Sequence, residues 1–546
     1  MIGRGFRMSR SSLLRNSVIL IIAAAVARFL GVFQRIPLVY LLGNTGMSSY
    51  AIAFNLYSTL LVIATAGIPT ILSKVISSKI ADNSEEEAHT IYHRALFFSV
   101  ISGLFMCCLL YFIAPIYARI SGDLDAVFSI RAIAPALLFF PAVAVMRGYS
   151  LGNQNAMPNG ISQIVEQVVR LIISILLAYL LIGYGLIWAS AGASFGGVAG
   201  GLAALLTLIY CFKRNKHLKT KKKIVYSFGG LLNFFKSSLS TAIWLIKISL
   251  PNVIFSMTVT LIYNIDTSSI IPLLKDKFTL NEAKELIGIL GGQAQSLAGI
   301  PIIISVAFSQ SIVPVLSALY IKKNINELKT EASKSLRLGL LAGLPVVLGI
   351  CFASSPLVGF LFNYGGTEFG KTYSSNMVIM ITISSLFQIL MQTSGGILIG
   401  IEKSKYLIIS FLIGVSSKVV LNYILSDYFG IYGINVSTII CFLLMFLFNL
   451  SIINKVVTLN ILGLKWFNLI LSTSIVVLLS LGLNKFVVKS LNLFSYEKIN
   501  NLLEVVFIMA FVCVLYISLL VTFKLLPYKD VLNAVSRFKR KTRKNS

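Results

Sequence analysis

A chain of 546 residues that is 57% apolar and only 12% charged, with a mean hydropathy of +0.87, carries about half the charged fraction of a water-soluble globular protein. That composition excludes a soluble enzyme and points to an all-α, polytopic membrane protein. The net charge of +28, from 47 basic and 19 acidic residues, suggests nucleic acid as a partner only until the basic residues are placed along the chain.

A bilayer core about 30 Å thick asks for about 20 largely apolar residues per crossing. Taken in chain order, the sequence predicts 14 spans: 14–42, 48–74, 92–118, 127–151, 158–182, 185–212, 240–272, 288–320, 334–362, 374–400, 404–426, 431–454, 466–488 and 501–524. The first follows Arg4, Arg7, Arg10 and Arg15 as a signal peptide would. It is too long for one, ends in no small-residue cleavage site and is interrupted by Arg28 and Arg35, so it is expected to be a retained helix.

With the N-terminus inside, and with basic residues at span ends counted with the loop they adjoin, the cytoplasmic segments hold 32 of the 47 basic residues, the opposite face nine and the span interiors six. This is the positive-inside bias. It places the chain in the cytoplasmic membrane with both termini cytoplasmic. The runs KRNKHLKTKKK and RFKRKTRKNS are then topology determinants and contacts to anionic membrane lipids, not a nucleic-acid surface. All six cysteines (Cys107, Cys108, Cys211, Cys351, Cys441, Cys513) fall within spans, which leaves neither a disulfide framework nor a metal site to read. No cofactor is expected.

The sequence repeats itself. The end of the second span, AGIPTILSKVISSKI, returns as SIVPVLSALYIKKNI at the end of the eighth, pairing Pro69 with Pro314, Ser73 with Ser317 and Arg94 with Arg337 within a shift of two residues. QVVRLIISILL followed by YGLIWAS is echoed by KVVLNYILS followed by YGINVST. Two six-helix, pseudo-symmetric lobes in one orientation are therefore expected, 1–212 and 240–455. A basic linker (213–239) joins them, and two accessory helices (456–526) and a basic tail (527–546) follow. Parallel repeats enclose a cavity whose access alternates as the lobes rock.

Ionisable groups in a bilayer core need a cavity or a partner. Those read here are Arg28 and Arg35 in span 1, Arg147 in span 4, Glu166 and Arg170 in span 5, Lys247 and Asp266 in span 7, and Lys418 in span 11. Six basic against two acidic fit an anionic substrate. Arg28 and Arg35, seven residues apart, share a helix face. Arg28 is too deep to reach water along its own stem, whereas Arg35 could do so. Glu166 and Arg170 are either an i, i+4 pair that holds helices together or part of the substrate site. Asp266 either neutralises a cavity arginine or binds a coupling cation. Lys247 reads as an interfacial anchor, and Lys418 with Asn422 as a polar cavity face.

The segments ARFLGVFQRIP, STLLVIATAGIPTILSKVIS, VMRGYSLGNQNAMPNGISQIVEQVVRLI and IYNIDTSS together resemble the multidrug/oligosaccharidyl-lipid/polysaccharide flippase superfamily. Within it they are most similar to the Gram-positive polysaccharide-biosynthesis branch, which holds the YtgP-type lipid II flippases (MurJ) and the SpoVB-like sporulation proteins. The resemblance implies a 14-helix fold around a cationic cavity, with the last two helices forming a groove for a lipid tail. It also implies a lipid-linked oligosaccharide substrate, an undecaprenyl-pyrophosphate-linked sugar carried to the outer leaflet. Arg28 matches the family's helix 1 cavity arginine. Tyr50 stands where an acid is expected and span 8 has no arginine, so Arg147, Arg170 and Lys418 enter as substitutes by charge alone. A cation-coupled multidrug exporter of the same superfamily would need acidic residues for its drugs. A membrane glycosyltransferase would need acid or base groups in an outer loop, where the longest such loop offers only Asp276, Glu282 and Glu285.

Overall fold

Peptide groups in a hydrocarbon core have no water to bond to, and the helix is the form that satisfies them within a single segment. The computed structural model describes residues 10–65, 67–214, 228–490 and 497–525, and no strand occurs among them. In chain order the helices are α1 (Arg10–Thr65), α2 (Ile68–Ala81), α3 (Glu85–Ser121), α4 (Ala126–Ile133), α5 (Ala136–Gly152), α6 (Met157–Leu181), α7 (Leu186–Arg214), α8 (Phe228–Leu274) and α9 (Leu280–Gly288). After a π-helical turn, Ile289–Ala294, come α10 (Gln295–Ile321), α11 (Ile325–Phe352), α12 (Ser354–Phe362), α13 (Glu368–Gly400), α14 (Tyr406–Phe429), α15 (Ile431–Val456), α16 (Trp466–Ser490) and α17 (Glu497–Thr522).

Thirteen stretches of the described residues are long and apolar enough to cross a membrane, against the 14 expected. The difference lies at the start. The stretch Ile22–Ala81 is 60 residues long, about twice what tilted helices use, and α1 is interrupted at Gly43, with φ 62° and ψ −177°. A side chain with a Cβ rarely adopts that φ. The two limbs fold back on each other there: Gln34 Nε2 lies 3.4 Å from Tyr50 Oη, whereas 16 residues of straight helix would separate them by about 24 Å.

Other boundaries also move. The expected span 127–151 is broken into α4 and α5 at Ala134 and Pro135. The expected span 334–362 stops at Phe352 and restarts as the separate α12. Span 8 starts early, at Leu280, because Thr279 and Glu282 form a reciprocal capping box, which satisfies two N-terminal donors at once. Helix α8 starts at Phe228, inside the stretch read as linker. Residues 215–227 of that linker and the whole basic tail lie outside the described residues.

Close packing is set by small residues. α6 and α7 meet where a Cβ on Gly196 would fall 1.9 Å from Ser174 Oγ. α1 approaches the π-helical turn where a Cβ on Gly291 would fall 2.4 Å from that of Ala51. Both limbs of α1, with α6, α10 and α13, thereby surround a central space.

Candidate functional site

That space is a cavity of about 440 Å³. Its wall carries three guanidinium groups, Arg28, Arg35 and Arg170, and five carboxamides, Gln34, Gln167, Gln295, Gln388 and Gln392, and among the described residues no carboxylate. Tyr50 and Phe54 complete the face contributed by the second limb of α1.

Each cation is held differently. Arg28 makes no hydrogen bond or ion pair among the described residues and lines the cavity. Arg35 is turned inward, not outward as its stem would allow. It donates from Nη1 to the Gly291 carbonyl and its guanidinium lies 5.3 Å from the Phe54 ring centre. The acceptor belongs to the π-helical turn, the kind of helix irregularity that interrupts the regular ladder and recurs at functional sites. Arg170 lies 3.5 Å from Glu166 and 5.9 Å from the centre of Phe140, and its buried Nε has no partner.

Glu166 joins two of the expected site residues. Its Oε2 is 3.0 Å from Arg147 Nη2 and its Oε1 accepts from Gln167 at 3.1 Å, while Arg147 Nε also donates to Ser162 at 3.0 Å. The chain Arg147–Glu166–Arg170 crosses from α5 to α6 with an excess positive charge and reaches the cavity only through Arg170. Glu166 and Arg147 stand behind the wall.

Lys418 and Asp266 depart from the reading made of them. Lys418 is fully buried, 2.5 Å from Asp266. It also donates to the Ile434 carbonyl at 2.9 Å, Ser437 Oγ at 2.7 Å and Thr438 Oγ1 at 2.6 Å. Asn422, expected to share a cavity face with Lys418, instead donates to Asp266 and to Ser269. The pair is sealed among α8, α14 and α15, so neither residue lines the cavity, and Asp266 neutralises a lysine instead of a cavity arginine. An ion pair this deep is stable only with its remaining hydrogen-bond capacity met, and four oxygen atoms around one ammonium supply that. Lys247 is exposed on α8.

At the Gly43 end of the cavity a polar network ties the α1 hairpin and the α3–α4 corner to α9. Lys284 bridges Asp123 at 2.9 Å and Asp125 at 2.6 Å. Asp123 also accepts from Ser48 at 3.1 Å and Ser49 at 3.0 Å. Gln293 donates to Asn44 at 2.8 Å, and Thr367 donates to Glu285 at 2.6 Å. A search confined to ionisable groups inside spans passes over Asp123, Asp125 and Lys284 and over Gln34, Gln295, Gln388 and Gln392, while Gln167 stands in the polar stripe of span 5 with Gln163, Glu166, Arg170 and Ser174. Glutamines recurring within apolar runs were the available signal.

The comparisons with known proteins come in three kinds. A family model described as polysaccharide biosynthesis protein matches residues 13–320, and one described as lipid II flippase MurJ matches residues 293–507. The lipid II flippase MurJ of Bacillus subtilis (strain 168) is 25% identical over 423 residues, 76% of this chain and 77% of that protein. Stage V sporulation protein B of the same organism is 26% identical over 350 residues, 63% of this chain and 66% of that one. Among solved structures, a lipid II flippase MurJ in an inward closed conformation superposes with a TM-score of 0.66 at 18% identity, covering 94% of this chain and all of the other. An inward-facing multidrug resistance MATE transporter of the MOP superfamily also gives a TM-score of 0.66, at 15% identity over 79% of this chain and 98% of its own. At such identities the structures establish a shared fold.

Proposed function

Because the chain belongs to the polysaccharide biosynthesis protein family, we propose that it is an alternating-access flippase for a lipid-linked cell-wall glycan precursor. The substrate proposed is lipid II, an undecaprenyl-pyrophosphate-linked glycan moved from the inner to the outer leaflet. One observation carries the reading: among the described residues the cavity wall holds three guanidinium groups and no carboxylate. A diphosphate supplies the charge that this wall lacks, and the planar guanidinium fork binds phosphate oxygens through paired, charge-assisted bonds. The carboxamides, each with donors and an acceptor, suit the uncharged polar remainder of a glycan.

The two-lobe arrangement is part of the proposal. The cavity draws Arg28, Tyr50 and Arg170 from the first repeat and Gln295 and Gln388 from the second, which is where rocking halves would enclose a substrate. A multidrug exporter of cationic compounds is disfavoured by the same wall. A transferase is disfavoured because two of the three acids of that loop are engaged, Glu282 in its capping box and Glu285 with Thr367, which leaves only the exposed Asp276.

The match to stage V sporulation protein B favours a second reading, a precursor of the spore cortex or of another lipid-linked polysaccharide. Expression of this chain in a bacterium depleted of its own lipid II flippase separates the two. Restored growth is the expected result. No growth from an inserted, abundant protein, together with rescue of a strain lacking stage V sporulation protein B, would transfer the assignment to the second substrate.

A further inference from the structure

A second cavity, larger than the cationic one, lies away from it and has the opposite character. It measures about 670 Å³ and is enclosed by α11, α12, α13, α16 and α17. Apolar side chains such as Phe352, Ile379 and Val477 form most of its wall, and its charged groups are Glu497 and Glu504. Among the described residues no lysine, arginine or histidine lines it.

Glu504 is the telling residue. It is only 7% exposed, stands about 10 Å along α17 from Glu497, and lies within a stretch apolar enough to cross a membrane. Among the described residues no cation or hydrogen-bond donor pairs with it. Lys498, the basic residue nearest in sequence, is turned away, its Nζ 4.8 Å from the centre of the Tyr40 ring on α1. A carboxylate at such a position is expensive unless something positive meets it, and every other buried carboxylate named above has its partner: Asp266 has Lys418, Asp123 has Lys284, and Glu166 has two arginines.

We propose that the α11–α13/α16–α17 cavity is a second binding site, which takes an amphipathic organic monocation with its positive charge on Glu504 and its apolar body against Phe352, Ile379 and Val477. The size fits a body of some tens of heavy atoms, and a mostly apolar wall with a few placed polar groups, here Glu504 and Glu497 beside Asn500, Asn501 and three serines, is the usual construction of a small-molecule site. Two sources share this chemistry: a lipid-borne amine entering from the bilayer, and a free lipophilic cation.

The experiment uses the full chain in lipid nanodiscs at neutral pH and two probes, dodecylammonium and tetraphenylphosphonium, with binding measured by equilibrium dialysis of the labelled probe. Saturable binding is expected, weakened about tenfold or more by the nearly isosteric Glu504→Gln, an order of magnitude being the effect of about 1.4 kcal/mol. Val477→Trp, which fills the cavity while leaving the charge, is expected to abolish it. Arg28→Ala, in the other cavity, is expected to leave it unchanged. Binding of dodecylammonium alone assigns the site to lipid-borne amines, and binding of tetraphenylphosphonium assigns it to free cations. Absence of saturable binding, or equal binding by a monodisperse Glu504→Gln protein, overturns the proposal. Neither result depends on whether the central cavity carries lipid II.

Discussion

At the scale of single residues, charge within the apolar spans serves two purposes here, and the partners tell them apart. Arg28 faces the cavity without a protein partner among the described residues, whereas Lys418 is enclosed with Asp266 and three further oxygen acceptors. Loss of a charge-paired contact that leaves its partner buried is worth about 2–5 kcal/mol. Arg28→Ala is accordingly expected to abolish growth rescue of the depleted strain at unchanged abundance. Arg28→Lys, a point charge in place of a fork, should keep part of the rescue. Full rescue by a stable Arg28→Ala protein would remove Arg28 from the site. Lys418→Met is expected to act on stability instead. It leaves Asp266 uncompensated, which costs about 3–5 kcal/mol, to be read as a lower melting temperature of the detergent-purified protein, and adding Asp266→Asn should recover most of the loss. A Lys418→Met protein that melts like its parent would contradict the structural role. Arg28 could be found in the sequence from its depth in an apolar span. The partner of Lys418 could not, because Asp266 is 152 positions away and only the packing of α8 on α14 brings them together.

Among the helices, breaks and early starts are where the sequence reading was weakest. Hydropathy averages over a window and is blind to a local reversal at Gly43, to the gap between α4 and α5 and to the π-helical turn before α10, yet two of these features shape the cavity. The accessory helices are a separate matter. α17 packs on α11, α12 and α16, and α16 on α11 and α17, while the cavity is walled by α1, α6, α10 and α13. A chain ending at Lys455 is therefore expected to insert and accumulate, since the cavity helices keep their mutual contacts, but to fail in rescue if α16 and α17 guide the lipid tail. Immunoblots of membrane fractions beside growth curves check both halves. Full rescue by the shortened chain would dismiss the tail-groove role.

For the whole molecule, the loop charges set an expected sidedness. A cysteine replacing Lys322, in a basic hairpin, is expected to be shielded from a membrane-impermeant thiol reagent in intact cells, and one replacing Asp276 to be labelled, both positions being exposed in the structure. The native cysteines are first replaced by serine. Labelling at position 322 would invert the topology. What the sequence alone determined was the class of protein, the approximate order of crossings, the repeat and the excess of positive charge at depth. Hydropathy, loop charge and self-similarity are properties of segments and can be read along a line. Only the tertiary structure decided which charges meet a cavity and which meet each other. Arg35 reaches a carbonyl 256 positions away, Glu166 is shared between two arginines, and Glu504 is left without a partner among the described residues. Such assignments depend on helix rotation and close packing, which set side chains from distant segments within about 3 Å and which no single segment encodes.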